Sequence, residues 1–461
     1  MTGGTDRLPP SLRRSSAYSV AGFAGSSLLL VVFTPLLVHR MGVSEYGLWA
    51  ISLAAFGLIG ALDLGLGTAL SKYVSEYVSR GDAGALSEVV GTALAFYAAL
   101  ALALGAPLFL GAHLFARLFA GSGVPVSQVE SVLRLTALGL LPLLLKSAGL
   151  ALAVGLQRFE VPMAASLVQN VLTVGAALAV TALGGSVEAV VLSSLCVLVA
   201  VAVASLAAGL RAIARHGAKP VVARAHVRRL SSYLAFTSAT SIGSLMFDSL
   251  DRIAVGATLG VRAVTYYSVS VSVANKIHYV ADVAARPLMP AASRWLARGE
   301  DAVARAVLVR ATMRVAAGSL VAAAVAVAAS EPLLRLWMGR DFTDHALDAF
   351  RILVVVYALT AICAPAYHVA NGIGLPWVNA AAALAGGASS VALIVVLSRP
   401  WGLIGAAWAN AAYWIMFATP AVLLRTLRQR DNQTASGEAG WDERHAVVLG
   451  TPRARTRRPW W

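Results

Sequence analysis

Residues 14–47 read RSSAYSVAGFAGSSLLLVVFTPLLVHRMGVSEYG, and a faint copy of this stretch returns from residue 229 onward. The first copy opens Arg14-Ser15-Ser16-Ala17-Tyr18, crosses an apolar run, turns at Met41-Gly42-Val43-Ser44-Glu45-Tyr46 and reaches Asp63. The second opens Arg229-Leu230-Ser231-Ser232-Tyr233, arrives at Leu259-Gly260-Val261 and Tyr266-Tyr267, and has its aspartate at Asp282. Each copy holds two apolar stretches of membrane-spanning length. Such an internal duplication predicts two related halves, the arrangement by which transporters rock around a shared central site.

Composition fixes the solvent. The 461 residues are 58% hydrophobic and 13% charged, whereas a soluble domain carries about 25% charge. Runs of about 20 apolar residues recur, each long enough to cross a hydrocarbon core of about 30 Å as a helix. Without alternation in those runs, helices rather than a barrel satisfy the backbone in lipid. The expected spans are 16–38, 46–70, 87–111, 131–155, 161–183, 187–210, 232–257, 263–290, 303–329, 350–371, 377–398 and 401–424. The chain therefore reads as an all-α polytopic membrane protein of twelve helices.

Basic loops stay in the cytoplasm, and the cations are lopsided. Segments on the side of the two termini hold Arg7, Arg13, Arg14, Lys72, Arg80, Arg158, Arg211, Arg215, Lys219, Arg224, Arg228, Arg229, Arg294 and Arg298, with Arg428, Arg430, Arg444 and the Arg453–Arg458 tract in the tail. The other side holds Arg40, Arg117, Arg262, Arg335, Arg340 and Arg399. Both termini are expected inside, in a bacterial cytoplasmic membrane. The net charge of +15 reports topology and contact with anionic headgroups rather than nucleic-acid binding. Arg13-Arg14 before an apolar run also suits a twin-arginine signal, but that run is too long for a signal core and eleven spans follow.

The expected organisation is a cytoplasmic segment 1–14, a first lobe 15–212, a basic linker 213–230, a second lobe 231–425 and a polar tail 426–461 expected to be disordered. The linker reads either as a topology signal or as a tether that also holds anionic lipid. Cys196 and Cys363 lie inside apolar spans and carry no disulfide or metal message. The Asn432-Gln433-Thr434 sequon falls in the expected cytoplasmic tail. No phosphate loop, nucleophile elbow, HExxH or other cofactor motif occurs, so neither a cofactor nor nucleotide hydrolysis is expected. Outer loops are short, the longest near 330–349, which leaves no room for a catalytic domain.

The strings MGVSEYGLW (41–49) and LDLGLGTALSKYVSEYVSRGD (62–82) resemble the first helical hairpin of the polysaccharide flippase family, within the multidrug/oligosaccharidyl-lipid/polysaccharide exporter superfamily. Gly42, Tyr46, Gly47, Asp63, Gly65, Gly67 and Lys72 occupy that family's positions. The stretch Asp251-Arg252-Ile253-Ala254-Val255-Gly256, with Leu259-Gly260 and Tyr266-Tyr267-Ser268, is similar to its helix-seven hairpin. The resemblance covers about 14–82 and 229–296 and is hydropathic elsewhere. It implies twelve helices in two six-helix lobes around a central cleft opening alternately to each side. It also implies a transporter rather than an enzyme, moving a polyprenyl-pyrophosphate-linked glycan for surface polysaccharide biosynthesis. Polymerase and glycosyltransferases of the same pathway are the further partners expected. Lipid II-type flippases usually carry two more helices, which makes peptidoglycan precursor the weaker choice.

Local physics adds detail. Gly42 and Gly47 suit a tight turn, Tyr46 and Trp49 suit a headgroup interface, and Gly57, Gly60, Gly65 and Gly67 suit close helix packing. Pro107, Pro142 and Pro365 are expected to interrupt spans three, four and ten.

Ionisable groups at membrane depth are costly and face a bundle interior or a watery cavity. Asp248, Asp251 and Arg252 share one face of span seven; Asn275, His278, Tyr279, Asp282 and Arg286 share a face of span eight, with Lys276 to one side. Asp63, Lys146, and His368 with Asn371 stand elsewhere. A pyrophosphate needs charge-assisted donors, so Arg252, Lys276 and Arg286 are the expected headgroup ligands, with Lys146 from the other lobe. Alternatively Arg252 pairs with Asp248, and Arg286 with Asp282. Asp251, Asp248, Asp63 and Asp282 are the candidates for proton or ion coupling. Two negative charges leaving an inside-negative cell gain roughly 4.6 kcal/mol per 100 mV, so potential alone can bias outward flipping. The rival readings are an ion-coupled exporter of cationic drugs, which basic cleft residues would repel, and a membrane glycan polymerase or ligase, for which only Glu331–Asp348 offers an external acid/base site.

Overall fold

The computed structural model describes residues 32–61, 66–118, 124–223 and 250–435, and these are helical almost throughout. Asp63 and Asp248 lie outside the described residues. The first lobe comprises α1 (32–41), α2 (Val43–Ala61), α3 (Leu66–Arg80), α4 (Ala83–Leu110), α5 (Ala112–Arg117), α6 (Val126–Leu138), α7 (Leu140–Gly155), α8 (Glu160–Ala182) and α9 (Val187–Ala214). The second comprises α10 (Leu250–Leu259), α11 (Val261–Ala285), α12 (Leu288–Ala297), α13 (Asp301–Ala328), α14 (Ser330–Met338), α15 (Arg340–Ala361), α16 (Ala364–Gly372), α17 (Pro376–Ala409), a 3-10 helix (Asn410–Phe417) and α18 (Ala418–Ala435). The chain is an all-α polytopic membrane protein with two six-helix lobes around a central cleft. Among the described residues, seven helical stretches are long and apolar enough to cross a membrane by length and composition.

One of those seven, Pro376–Arg430, is two spans. Gly402 leaves the helical region at φ 56° and ψ −134° after Pro400. Beyond it the chain folds back: a β-carbon on Gly405 would stand 2.1 Å from the Leu397 carbonyl oxygen, and one on Gly386 would stand 3.2 Å from the Tyr413 ring. These approaches define an antiparallel hairpin, in line with separate spans at 377–398 and 401–424.

The prolines act unequally. Pro365 sits in the first turn of α16 and marks the break after α15, where a missing N–H costs nothing. Pro107 stays inside α4, and the fourth span breaks at Gly139, between α6 and α7, rather than at Pro142. Close packing also falls elsewhere than on the glycines of α2. In α7, Gly149 lies against the α9 backbone, where a β-carbon would meet Leu206 N at 2.6 Å. Membrane helices approach closely through small residues of this kind.

The duplication is visible in the backbone. Gly42 and Gly260 both take the left-handed region, at φ 82° and 85°. Each donates its N–H back one helical turn, to Val38 O at 2.9 Å and Gly256 O at 3.1 Å. A side chain would be strained at either turn. The two turns meet at one end of the molecule, because α2 packs against α10 and α11 and provides the principal contact between the lobes. Tyr46 and Trp49 lie on this helix. Both are buried in the largest core cluster, with Tyr266, Val261 and Val264 of the second lobe. Trp49 donates to Ser194 Oγ at 3.4 Å. The expectation of headgroup aromatics is therefore corrected: packing between helices claims both rings.

Candidate substrate cleft

The lobes are sealed where α2 crosses the start of α11. Thr265 donates its hydroxyl to Val43 O at 2.5 Å across the lobes. Gly47 lies so near that a β-carbon would fall 2.2 Å from Val261 O and 2.8 Å from Val261 Cγ1. Its role is this close approach, one turn inside the helix, rather than the turn itself. The seal lies on the face of the Gly42 and Gly260 turns. The opposite face carries Arg80, Arg158, Arg215, Arg294 and Arg298 at helix ends, and is called the basic face below.

Behind the seal stand two of the expected cations. Arg252 sits in the first turns of α10, part-buried, and its Nε is buried without a hydrogen bond among the described residues. Its helix packs against α2 of the first lobe and against α11. Arg252 thus stands on the helix that meets the other lobe, and Lys276, also part-buried, stands on the adjacent α11. Cations at membrane depth face a bundle interior or a watery cavity, where an anionic ligand finds charge-assisted donors.

Asp251 is engaged inside the second lobe. It is 1% exposed, and its carboxylate accepts from Tyr267 OH at 2.8 Å and from the Arg252 amide at 2.7 Å. Asn410, at the start of the 3-10 helix, donates to the Tyr267 oxygen at 2.6 Å. The second lobe therefore contains a buried Asp251–Tyr267–Asn410 chain joining α10, α11 and the last hairpin.

The remaining predicted residues are placed apart from this pair. Asp282 accepts from Arg286 Nη2 at 3.0 Å and lies 2.9 Å from His368 Nε2 on α16. Arg286 also lies over the Tyr279 ring, 5.7 Å from its centroid. It is half-exposed near the basic-face end of α11, and its guanidinium is engaged within its own helix. Lys146 donates to Gln169 Oε1 on α8 at 2.7 Å. Lys146 and Lys276 stand at equal distance, about 14 Å at 1.5 Å per residue, from the basic-face ends Gly155 and Ala285 of their helices. They share depth, but no contact joins them. Sequence reasoning assigned no role to Tyr267, Gln169 or Asn410. Asn410 had a signal, as a lone amide in the apolar run AAWANAAYW.

A family model described as polysaccharide biosynthesis protein matches residues 37–347. No curated protein matches the sequence. Several solved structures share the fold. A multidrug resistance MATE family transporter of the MOP superfamily, in an inward-facing conformation, superposes with a TM-score of 0.73 at 15% identity, over 90% of this chain and 96% of the other. The lipid II flippase MurJ, in an inward closed conformation, gives 0.69 at 14% identity, over 89% and 87%. A MOP superfamily transporter from Pyrococcus furiosus, described as having a binding pocket of reverse polarity, gives 0.59 at 15% identity, over 92% and 96%.

Proposed function

Since the chain belongs to the polysaccharide biosynthesis protein family, we propose that it flips a polyprenyl-pyrophosphate-linked oligosaccharide across a bacterial cytoplasmic membrane by alternating access. The observation that carries this reading is the placement of Arg252 and Lys276, both part-buried at membrane depth, on the adjacent helices α10 and α11 behind the inter-lobe seal. A pyrophosphate is matched by two cations at membrane depth, and Arg252 Nε, which has no hydrogen bond among the described residues, supplies a directed donor. A cationic drug would meet repulsion at the same place, so the exporter reading is disfavoured. Arg286 serves the Asp282–His368 link more readily than the cargo, and Lys146, bonded to Gln169 in the first lobe, is a candidate by depth alone.

The basic face is assigned to the cytoplasm, because Arg and Lys in short loops are retained there. The sealed face is then outward, and the cleft receives cargo from the inner leaflet. Membrane potential drives the exit of the negative headgroup. Asp251 is the proposed coupling residue, since its buried carboxylate stands one residue from the headgroup ligand.

The test is transfer of a pyrophosphate-linked glycan in reconstituted vesicles. A charge-assisted contact is worth about 1.5–3 kcal/mol, so Arg252→Ala and Lys276→Ala should each slow transfer about 10- to 100-fold. Arg286→Ala should have a smaller effect. Native transfer by the Arg252→Ala/Lys276→Ala double variant at normal protein level sinks the site.

A further inference from the structure

A cavity with serine, glutamine, arginine and histidine side chains in its lining lies in the first lobe, at the basic-face ends of three helices. Its volume is about 400 Å³, within the about 300–1,000 Å³ range of small-ligand sites. α3 lends it Ser75 and Ser79, the turn between α7 and α8 lends Gln157 and Arg158, and the end of α9 lends Arg215 and His216.

The turn is built at a conformational cost. Gln157 is the one non-glycine residue with positive φ, 61°, among the described residues. Strained backbone of this kind collects at functional sites, and here the strained residue lines the cavity. The cations are not occupied as helix caps. Backbone amides already fill those carbonyls: Arg158 N bonds Ala153 O and Gln157 N bonds Val154 O, both at 2.9 Å, while His216 N bonds Ile213 O at 2.9 Å. Arg158 meets Glu160 at 3.2 Å, with both side chains about half exposed, and such a pair is weak. Arg215 has no carboxylate partner among the described residues.

The surroundings select a lipid. Phe159, next to Arg158, is 49% exposed, and Leu167 and Val171 on the following helix are exposed as well. An apolar helix face below and a ring of cations above is the profile of the headgroup layer. The chain leaving the cavity is also held down. Lys219 N donates to Ser87 Oγ and Val221 N to Ser87 O, both at 3.0 Å, and Ala223 N donates to Thr92 Oγ1 at 3.1 Å. This strap along α4 begins the connection to the second lobe.

We propose that the cavity binds the phosphate-bearing headgroup of an anionic membrane lipid, clamped between Arg158 and Arg215, and that this lipid fixes the root of the inter-lobe strap. The assignment is independent of the cargo site. Its test is thermal unfolding of the purified full chain in lipid nanodiscs of phosphatidylcholine with increasing phosphatidylglycerol. Phosphatidylglycerol should raise the Tm. The Arg158→Ala/Arg215→Ala variant should need at least about tenfold more of it for half the effect, as loss of charge-assisted contacts predicts. Glu160→Gln, which releases Arg158, should need less. Arg294→Ala/Arg298→Ala, on the basic face of the other lobe, should respond as the native chain does. An equal response from the Arg158/Arg215 variant, or a loss as large from Arg294/Arg298, overturns the site. Should the double variant fail to fold, Arg215→Gln, at an exposed position with no carboxylate partner among the described residues, carries the same comparison. Inorganic phosphate or glycerol phosphate in detergent that reproduces the whole shift overturns the lipid assignment in favour of a soluble anion.

Discussion

Replacing Gly47 by leucine is expected to stall the transport cycle with the Gly42/Gly260 face held open, reducing turnover by more than about tenfold. The three atoms nearest a β-carbon at this position are Val261 O, Val261 Cγ1 and Thr265 Oγ1, at 2.2, 2.8 and 3.0 Å. All belong to the second lobe. The nearest obstacles to the added side chain therefore lie in the other lobe, so the closed arrangement carries the main penalty. Overpacking costs typically about 1–3 kcal/mol, and at 3 kcal/mol the balance between closed and open moves roughly 150-fold. A backbone carbonyl cannot rotate away as a side chain can, so the leucine variant belongs at the upper end. Removing the Thr265 hydroxyl is the mild counterpart. Thr265→Val deletes one inter-lobe hydrogen bond, worth about 1 kcal/mol, and should slow transport only a few-fold. The readout is labelling of Val264→Cys, buried in the seal, by a membrane-impermeant thiol reagent applied from the sealed face. The cysteine should be protected in the native background and labelled in the Gly47→Leu background. Protection in both, with normal transport, would falsify the seal.

The sequence made some of this legible for physical reasons and hid the rest for others. Lipid forces helices and sets their length, so the spans could be read from runs of apolar residues alone. The Gly42 and Gly260 turns could be paired because a left-handed backbone position narrows the choice to glycine. Partners across space were not legible. Arg286 and Asp282 pair at helical spacing, as one of the two readings held, but His368 joins them from another helix and no local pattern announces it. Trp49 looked interfacial by residue type, yet it is buried against α9. Residue type gives a preference for depth, while helix packing decides which rings meet lipid. Arg252 and Lys276 come onto adjacent helices only through the way α10 and α11 fold together.

Asp251 offers the second large effect, and two substitutions divide its roles. Asp251→Ala leaves the Tyr267 hydroxyl and the Arg252 amide without their acceptor, in a place where Asp251 is 1% and Tyr267 0% exposed. Each orphaned buried group costs about 1–3 kcal/mol, so the loss should be roughly 2–6 kcal/mol. Asn410 is affected in turn, because Tyr267 is the group that links it to the carboxylate. Lower yield and a lower Tm of the purified protein are expected. Asp251→Asn behaves differently. Its carbonyl still accepts from one of the two donors, and its shape is unchanged, so most of the stability should remain. What it cannot do is gain or lose a proton or neutralise a cation. Under the coupling role proposed for Asp251, the asparagine variant should fold, bind cargo and flip under membrane potential, yet no longer respond to an imposed proton or sodium gradient. An asparagine variant that retains the native gradient response places coupling at another residue. An alanine variant with native Tm means that the Asp251–Tyr267–Asn410 chain does not hold the lobe together. The two measurements are independent, since one reads an equilibrium of folding and the other a dependence of rate on a gradient.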